Sequence, residues 1–395
     1  MSNRKQTDVT QKHNSTIYLD CNATTPIEPT VRDEVLRYFD TEFGNAGSRT
    51  HDFGTRAKQA VQKARDQVGA VVAAERDQII FTSGATESNN LALLGLRVFG
   101  ETSGRKHVIS TQIEHKAVLE PLEELQRRGF EVELIPPNSG GWIDVVQLRE
   151  VLRPDTLLVS VMHANNETGV FQPIDEIADE LEGHEAYFHV DAAQTFGKAI
   201  NSLRNPRIDL ISLSGHKIYG PKGVGALIAR RRKFERPPLR PLVFGGGQER
   251  GLRPGTLPVP LIAGLGLAAE LAKENRAERE TVTRRFRKNL EKALLPLKPK
   301  IHGDQSRVLP HVINLSFPGL DSEAVMVALK DSIAISNGSA CTSSSYSPSH
   351  VLLAMGIPRF EIAGALRFSW CHLTPDVDWD TVVQRLVHLG VHAEI

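Results

Sequence analysis

Short apolar runs alternate with helix-like segments through the first two-thirds of the chain, and this rhythm limits the possible folds more than any other feature. The helical patterns include residues 116–128 and 174–182. Strands that alternate with helices are typical of a mainly parallel sheet covered on both faces. The sequence therefore predicts an α/β domain. Its strands are expected at residues 78–81, 107–110, 131–135, 157–162, 186–190, 210–213 and 225–229.

The pattern changes near residue 261. Residues 261–295 predict one long helix, and mixed strand-like and helical segments follow it. The expected organisation has three parts. These are a leader over residues 1–16, a large domain over 17–260, and a bridging helix with a smaller domain over 261–395. The smaller domain is expected to be of α+β type, and residues 18–30 are a candidate to pack against it. The smaller domain carries Cys341 in a Gly- and Ser-rich loop that we expect to be mobile.

Charge and cysteine content argue against several classes of protein. The 395 residues include 47 Lys+Arg and 47 Asp+Glu, so no global field favours nucleic acid or a membrane surface. The three cysteines form no CxxC pair, which argues against a disulfide framework or zinc site and favours a reducing compartment. No run is long and apolar enough to span a bilayer, and residues 1–16 lack an apolar signal segment. We expect a soluble, cytoplasmic protein without a metal.

Polar residues follow four of the predicted strands, at the sheet edge where α/β proteins bind ligands. The segment TSGATES at 82–88 opens a helix, and its backbone N–H groups and hydroxyls suit a phosphate, although a plain helix cap is the alternative. HANNETG at 163–169, Asp191 and SGHK at 214–217 end the other strands. Asp191 alone could equally cap a helix. Four polar strand ends together favour a binding site.

Lys217 is the most informative of these residues. It follows an apolar strand and precedes a turn built from glycine and proline, which would fix its position. A lysine so placed can form a Schiff base with an aldehyde. An acid on a neighbouring strand, here Asp191, would keep a pyridinium nitrogen protonated. Together with a phosphate site, these residues indicate pyridoxal 5'-phosphate (PLP). A nucleotide site is the rival, but neither GxGxxG nor GxxxxGK[ST] occurs at a strand-to-helix turn.

Ten segments between about residue 18 and the C-terminus carry a family resemblance. They are YLDCNATTP, FGNAGSRTHDFG, FTSGATESNNLA, EHKAVL, HANNETG, HVDAAQTFGK, SGHKIYGPKGVGAL, GGGQERGLRPGT, SNGSACTSSS and ALRFS. Because these segments occur in the same order over more than nine-tenths of the chain, the chain resembles a PLP-dependent cysteine desulfurase of the NifS/IscS type. The resemblance implies PLP fold type I.

The resemblance also implies roles around the cofactor ring. Lys217 would hold PLP covalently, Asp191 would pair with the ring nitrogen, and Gln194 would reach the ring hydroxyl. His115 would stack on the ring and help to move protons, although without the resemblance it reads equally well as a helix cap. Asn166 would lie beside the ring hydroxyl and the substrate.

Further roles concern the phosphate and the substrate. Arg367 would bind the substrate carboxylate as a planar bidentate donor, although without the resemblance it reads as an exposed charge on a strand. The phosphate would be held by residues from two protomers of a homodimer, with the threonine coming from the partner. These are Ala85, Thr86, Ser214, His216 and Thr256.

Cys341 is the nucleophile that the resemblance implies. It would take sulfur from L-cysteine, leaving L-alanine and a persulfide that passes to a sulfur-acceptor protein. The acceptor could serve iron–sulfur cluster assembly, tRNA thiolation or DNA phosphorothioation. Two alternatives stay open: a selenocysteine lyase or aminotransferase on the same scaffold, and a non-catalytic adaptor with the same fold.

The chain departs from the usual family pattern at two positions within the matching segments and in one short stretch after the last of them. Cys21 stands where an aromatic or small residue is common, and Ala46 where proline is common. After the RFS motif, a Leu-Gly-Arg-like segment is replaced by Trp370, Cys371 and His372. We interpret Cys21 as a neutral core variation and Cys371 as a packed residue.

Overall fold

A seven-stranded sheet forms the centre of the computed structural model, which describes residues 16–317, 319–337 and 348–391. The expected leader and the loop around Cys341 lie outside the described residues. The first eight strands are β1 (Ile17–Tyr18), β2 (Ile79–Thr82), β3 (His107–Thr111), β4 (Glu131–Ile135), β5 (Thr156–Met162), β6 (Tyr187–Asp191), β7 (Leu210–Ser214) and β8 (Gly225–Ala229). The other four are β9 (Lys300–Ile301), β10 (Val312–Ser316), β11 (Ile333–Ala334) and β12 (Ala365–Ser369).

Helices cover both faces of this sheet. The first seven are α1 (Pro29–Asp40), α2 (Asp52–Val72), α3 (Ala85–Leu94), α4 (Arg97–Ser103), α5 (Lys116–Arg127), α6 (Val145–Val151) and α7 (Ile174–Glu180). The other six are α8 (Val259–Glu274), α9 (Arg276–Leu294), α10 (Ser322–Leu329), α11 (His350–Ala354), α12 (Arg359–Ala363) and α13 (Trp379–His388).

The strand order in the central sheet is β2-β8-β7-β6-β5-β3-β4, and every strand except β8 runs in the same direction. This confirms the predicted α/β fold with a mainly parallel sheet. Strands β5, β7 and β8 are buried along their whole length, as expected when helices cover both faces. Because parallel strands end at one edge, the polar residues that follow β5, β6 and β7 are brought together.

The long helix expected over residues 261–295 is wrong, because α8 and α9 are separate helices that meet at Asn275. The reason is a change of packing partner. Helix α8 is buried on most of its surface and packs against α1 and α2 in the large core. Helix α9 buries only a narrow stripe, which includes Phe286 and Leu290, in the core around β10 and β12. Asparagine favours helix ends because its side chain competes for backbone hydrogen bonds.

A smaller three-stranded antiparallel sheet, β12-β10-β9, supports the C-terminal part of the chain. The N-terminal segment reaches this part, because β1 pairs with β11 and Leu19 lies in the small core. No helix among the described residues has the length and apolarity that a membrane crossing requires.

Candidate active site

A cavity of about 580 Å³ opens at the carboxyl ends of the central strands. Loops that follow β2, β5, β6 and β7 supply most of its wall. The predicted site residues that line it are Ala85, Thr86, His115, Asn166, Asp191, Gln194, Ser214, His216 and Lys217. Thr256 is exposed and does not border this cavity, and Arg367 is buried just outside its wall.

Asp191 supplies a buried carboxylate at the end of β6. One oxygen accepts a hydrogen bond from Asn89 Nδ2 at 2.7 Å, and the other accepts one from the Ala193 N–H at 2.9 Å. The side chain is 6% exposed, so these bonds hold a negative charge in fixed orientation at the cavity wall. A carboxylate in this place can pair with the ring nitrogen of PLP.

Lys217 reaches the same cavity from the 3₁₀ turn that follows β7. Its ammonium donates to the carbonyl of Ala23 at 2.8 Å and also to the carbonyl of Asn22. The strand positions the backbone, and these two carbonyls position the amine. Gln194 Nε2 donates to the same Asn22 carbonyl at 3.1 Å, so one backbone oxygen connects two predicted cofactor residues.

The start of α3 forms a cradle of backbone N–H groups at residues 84–86. Strand β8 can lie against this turn only because residue 225 is glycine: a Cβ there would approach Gly84 Cα to 2.6 Å. The hydroxyl of Ser214 lies close to Gly84, 3.4 Å from the place that a Cβ on residue 84 would occupy, and both residues line the cavity. The geometry suits a phosphate group.

His216 lines the cavity near this cradle, and its Nδ1 lies 3.1 Å from Thr24 Oγ1. Burial, with the charges of Lys217 and Lys222, lowers the pKa of His216 to about 4. The ring is therefore neutral near pH 7. It can act as a hydrogen-bonding group but contributes no positive charge toward a phosphate.

His115 turns out to be both a helix cap and a cavity residue. Its Nδ1 accepts a hydrogen bond from the Ala117 N–H at 3.0 Å at the start of α5, while the ring borders the cavity. Burial lowers the pKa of His115, and the charge of Asp191 opposes that shift. The neutral ring therefore carries its proton on Nε2, which is free of the cap bond.

Arg367 lies on β12 and is 1% exposed. Its guanidinium donates to Asp20 Oδ1 at 2.6 Å and to the carbonyl of Asn166 at 3.1 Å. It is therefore a buried, paired charge and not the exposed strand residue of the alternative interpretation. Among the described residues, none accepts a hydrogen bond from Arg367 Nε, so this N–H is a donor that a carboxylate ligand could use.

Sequence reasoning missed Asn22, Asn89 and Glu114 as residues of this site. Asn22 and Asn89 occur in segments quoted for the resemblance, YLDCNATTP and FTSGATESNNLA, but no role was given to them. Glu114 precedes His115 and is fully buried, with Oε1 accepting from the Met162 N–H at 2.9 Å. The position of Asn22 and Asn89 inside matched segments was the available signal. Nothing local marks Glu114 as buried.

The residues present fit PLP on grounds independent of the resemblance. The cavity holds a fixed carboxylate, an amine and a helix start. Within the described chain, Gln194 Oε1 is buried and has no hydrogen-bond partner. A buried acceptor without a donor is costly unless a ligand supplies one, and a ring hydroxyl would do so.

Comparison with known proteins agrees with this geometry. The family model described as Aminotransferase class-V matches residues 17–382. A cysteine desulfurase IscS from Anaeromyxobacter sp. (strain Fw109-5) is 46% identical over 94% of this chain and 91% of its own length. The crystal structure of DndA from Streptomyces lividans is 53% identical with a TM-score of 0.79, covering 88% of this chain and 98% of that one. A structure of SspA in complex with cysteine is 35% identical with a TM-score of 0.78, covering 91% and 100%.

Fold and site together define a PLP-dependent enzyme of the class-V type. The chain belongs to the class-V aminotransferase family and, within it, to the cysteine desulfurases.

Proposed function

We propose that this protein converts L-cysteine to L-alanine and transfers the sulfur to Cys341 as a persulfide, which then passes to an acceptor protein. The observation that carries this proposal is the convergence of Lys217, Asp191 and the α3 cradle on one cavity beside Arg367. When bound there, PLP supplies an electron sink that lets bonds at the substrate Cα and Cβ break. The residues of the chain supply the proton transfer and the orientation of the substrate.

Lys217 is placed to carry the proton of the reaction. Its amine is held by two backbone carbonyls at the cavity wall. An amine displaced by substrate stays within reach of the substrate Cα, where it can accept and return a proton. His115 presents an Nε2–H beside the same cavity, so it can stack on a ring and donate a hydrogen bond without carrying charge.

Substrate orientation is assigned to Arg367 and Asn166. The buried guanidinium is already oriented by Asp20, so a carboxylate meets a preformed donor. Asn166 borders the cavity, and its carbonyl accepts from Arg367.

Cys341 lies outside the described residues, but both neighbouring segments are fixed beside this site. Ser336 exchanges backbone hydrogen bonds with Arg367, and the Ser349 hydroxyl donates to the carboxylate of Glu167 at 2.5 Å. Five residues span at most about 18 Å, which limits how far Cys341 can lie from Ser336. The two segments that flank Cys341 in the sequence are therefore anchored beside Arg367 and Glu167.

Borohydride reduction of the PLP-loaded protein tests the assignment of the lysine. We expect the peptide containing Lys217 to carry the cofactor mass, and the Lys217→Ala protein to lose both this label and alanine formation. Lys222→Ala, which removes a lysine five residues further on, should keep the label. Labelling of another lysine in the unmodified protein would contradict the assignment.

Substrate preference separates cysteine desulfuration from the selenocysteine lyase alternative. We expect L-cysteine turnover to depend on Cys341, because the thiol accepts the sulfur. Efficient release of selenide from L-selenocysteine by the Cys341→Ser protein, with no reaction toward L-cysteine by either protein, would favour the lyase.

For the sulfur acceptor we favour a protein of DNA phosphorothioation over iron–sulfur assembly or tRNA thiolation. The identity to DndA, 53%, exceeds the 46% identity to IscS. Sulfur transfer in vitro from ³⁵S-labelled persulfide to each class of acceptor decides among the three. Preferential labelling of an iron–sulfur scaffold would overturn this choice.

A homodimer completes the proposed site. Thr256 is exposed and lies outside the cavity of its own chain, so it can serve as a phosphate ligand only toward another protomer. Large apolar side chains are also exposed, among them Phe43 at 67% and Phe244 at 84%. Sedimentation velocity on the PLP-loaded protein should give one dimeric species, whereas a 43.5 kDa monomer would contradict this assembly.

A further inference from the structure

Three departures from the family pattern meet in space, although Cys21 is separated by most of the chain from Cys371 and His372. Cys21, Cys371 and Tyr219 form a small buried cluster of their own. His372 packs edge-on against the Tyr219 ring at 4.5 Å. The substitutions that seem independent in the sequence therefore occupy one place in the fold.

The two thiols are carried by paired backbone segments. The Cys21 N–H donates to the Ser369 carbonyl at 2.9 Å, and Asp20 forms a parallel bridge with Ser369. Cys371 follows two residues later. Both cysteines are free thiols, exposed by only 1% and 2%. The two side chains belong to one buried cluster of three residues, so the thiols are neighbours in the fold.

The surroundings make the two sulfurs chemically unequal. Interaction with the neighbouring Cys21 thiol lowers the pKa of Cys371 to about 7, against the opposing effect of burial, and Thr374 and the Lys198 ammonium add to the lowering. Interaction with Cys371 and burial raise the pKa of Cys21. Cys371 is thus the better thiolate, and Cys21 is a protonated thiol beside it. A low-pKa cysteine next to a resolving cysteine is the arrangement of oxidisable thiol pairs.

A second cavity lies next to the cysteine cluster. It has a volume of about 400 Å³, and Lys198, Tyr219, Arg279 and His311 lie in its wall. Tyr219 belongs to the cysteine cluster, and the Lys198 ammonium acts on both thiols. The cavity therefore reaches the edge of the cluster at Tyr219, and we consider a small oxidant, a peroxide, because neither cysteine lines the cavity itself.

We propose that Cys21 and Cys371 form a peroxide-oxidisable dithiol, a modification site separate from the proposed sulfur-transfer thiol Cys341. The Cys371 thiolate attacks one peroxide oxygen, the O–O bond breaks, and the departing hydroxide takes a proton to form water. The sulfenic acid on Cys371 is then attacked by the Cys21 sulfur, and the S–O bond breaks as the S–S bond forms. The leaving hydroxide takes the Cys21 proton as a second water. Two electrons pass from the sulfurs to the peroxide.

The disulfide would join two segments that both support the active site. Asp20, next to Cys21, pairs with Arg367, and Asn22 on the other side accepts from Lys217. Cys371 lies two residues beyond the end of β12, the strand that carries Arg367. Oxidation therefore adds a covalent restraint directly behind the substrate and cofactor residues.

The test uses PLP-loaded Cys341→Ser protein, in which Cys21 and Cys371 are the remaining cysteines. The folded protein is exposed to hydrogen peroxide until a glutathione standard in parallel is fully oxidised. It is then denatured and treated with iodoacetamide. We expect a mass loss of two hydrogen atoms, no alkylation, and one peptide pair joined through Cys21 and Cys371. Reduction before alkylation should restore two alkylated cysteines.

Two further variants show which of the two cysteines is oxidised first. In Cys21→Ala/Cys341→Ser protein, peroxide should leave a sulfenic acid on Cys371 that dimedone traps. In Cys371→Ala/Cys341→Ser protein, Cys21 should stay unlabelled by dimedone. Peptide mapping of peroxide-treated protein with all three cysteines replaces these variants if they do not fold. Two fully alkylated cysteines after peroxide treatment, or a disulfide only between molecules, would overturn the proposal.

Discussion

Glu114 is a fully buried carboxyl behind the cavity, and its protonation is expected to affect stability. Burial raises the pKa of Glu114 to about 8, although the Met162 N–H and the Thr111 hydroxyl oppose the shift. Among the described residues, Oε2 has no hydrogen-bond partner. In the unfolded chain a glutamate titrates near ~4.3. Between these values the folded protein holds a proton that unfolding releases.

The sign of the pH dependence follows directly. Because the pKa of Glu114 is higher in the folded protein than in the unfolded chain, its protonation stabilises the fold fully at low pH. This stabilisation is lost as the pH rises toward about 8. We expect the free energy of unfolding of the wild type, minus that of Glu114→Gln, to fall between about pH 5 and about pH 8, by at most about 1.4 kcal/mol per pH unit. Urea unfolding across this range measures it. Glu120→Gln, an exposed neighbour, serves as control, and a difference independent of pH would contradict the account.

At the residue scale, sequence reasoning succeeds where a local rule exists. The end of a parallel strand is a local feature, and it led to Asp191 and Lys217, which line the cavity as expected. No such local rule points to the Asn22 carbonyl, because the Lys217 amine that donates a hydrogen bond to it lies 195 residues away in the sequence. His115 shows a third case: it caps a helix and also lines the cavity, while its role beside a cofactor ring stays a prediction.

At the scale of elements, a buried ion pair holds the start of β2 against the segment that precedes Thr256. Arg65 on α2 donates to both oxygens of Glu249, and Glu249 also accepts from the Phe81 N–H at 2.8 Å. The side chains are 7% and 0% exposed. Removing one partner from such a pair leaves the other buried and uncompensated.

Arg65→Leu is therefore expected to lower the free energy of unfolding by about 3–5 kcal/mol. The matched control is Arg76→Leu, since Arg76 pairs with Asp66 on the surface and should leave stability unchanged. Denaturant unfolding of both variants beside the wild type checks this. An equal decrease in the free energy of unfolding in the two variants would contradict the idea that burial makes the Arg65 pair more important for stability than the surface pair.

Element type was predictable from the sequence, but the break between α8 and α9 was not. Both helices have favourable composition, and their junction carries no proline or glycine. The break at Asn275 becomes evident only when α8 is seen in the large core and α9 against the small one. Similarly, β1 and β11 have two residues each, too few for a hydrophobic period to be visible.

At the scale of the whole molecule, the N-terminal segment connects the two cores with the site. Leu19 packs in the small core, Asp20 holds Arg367, and the carbonyls of Asn22 and Ala23 hold Lys217. A movement of one core relative to the other would therefore shift both Arg367, assigned to the substrate, and Lys217, assigned to the cofactor. The domain limits expected from the sequence stay a prediction.

The central claim is that sulfur moves from L-cysteine to Cys341, and its location can be measured directly. PLP-loaded protein is incubated with L-cysteine without a reductant, alanine is quantified, and added sulfur is located by intact and peptide mass spectrometry. The account predicts alanine together with one added sulfur on Cys341, and none on Cys21 or Cys371. Alanine without sulfur on Cys341 would contradict the persulfide step, and no alanine at all would contradict the proposed reaction.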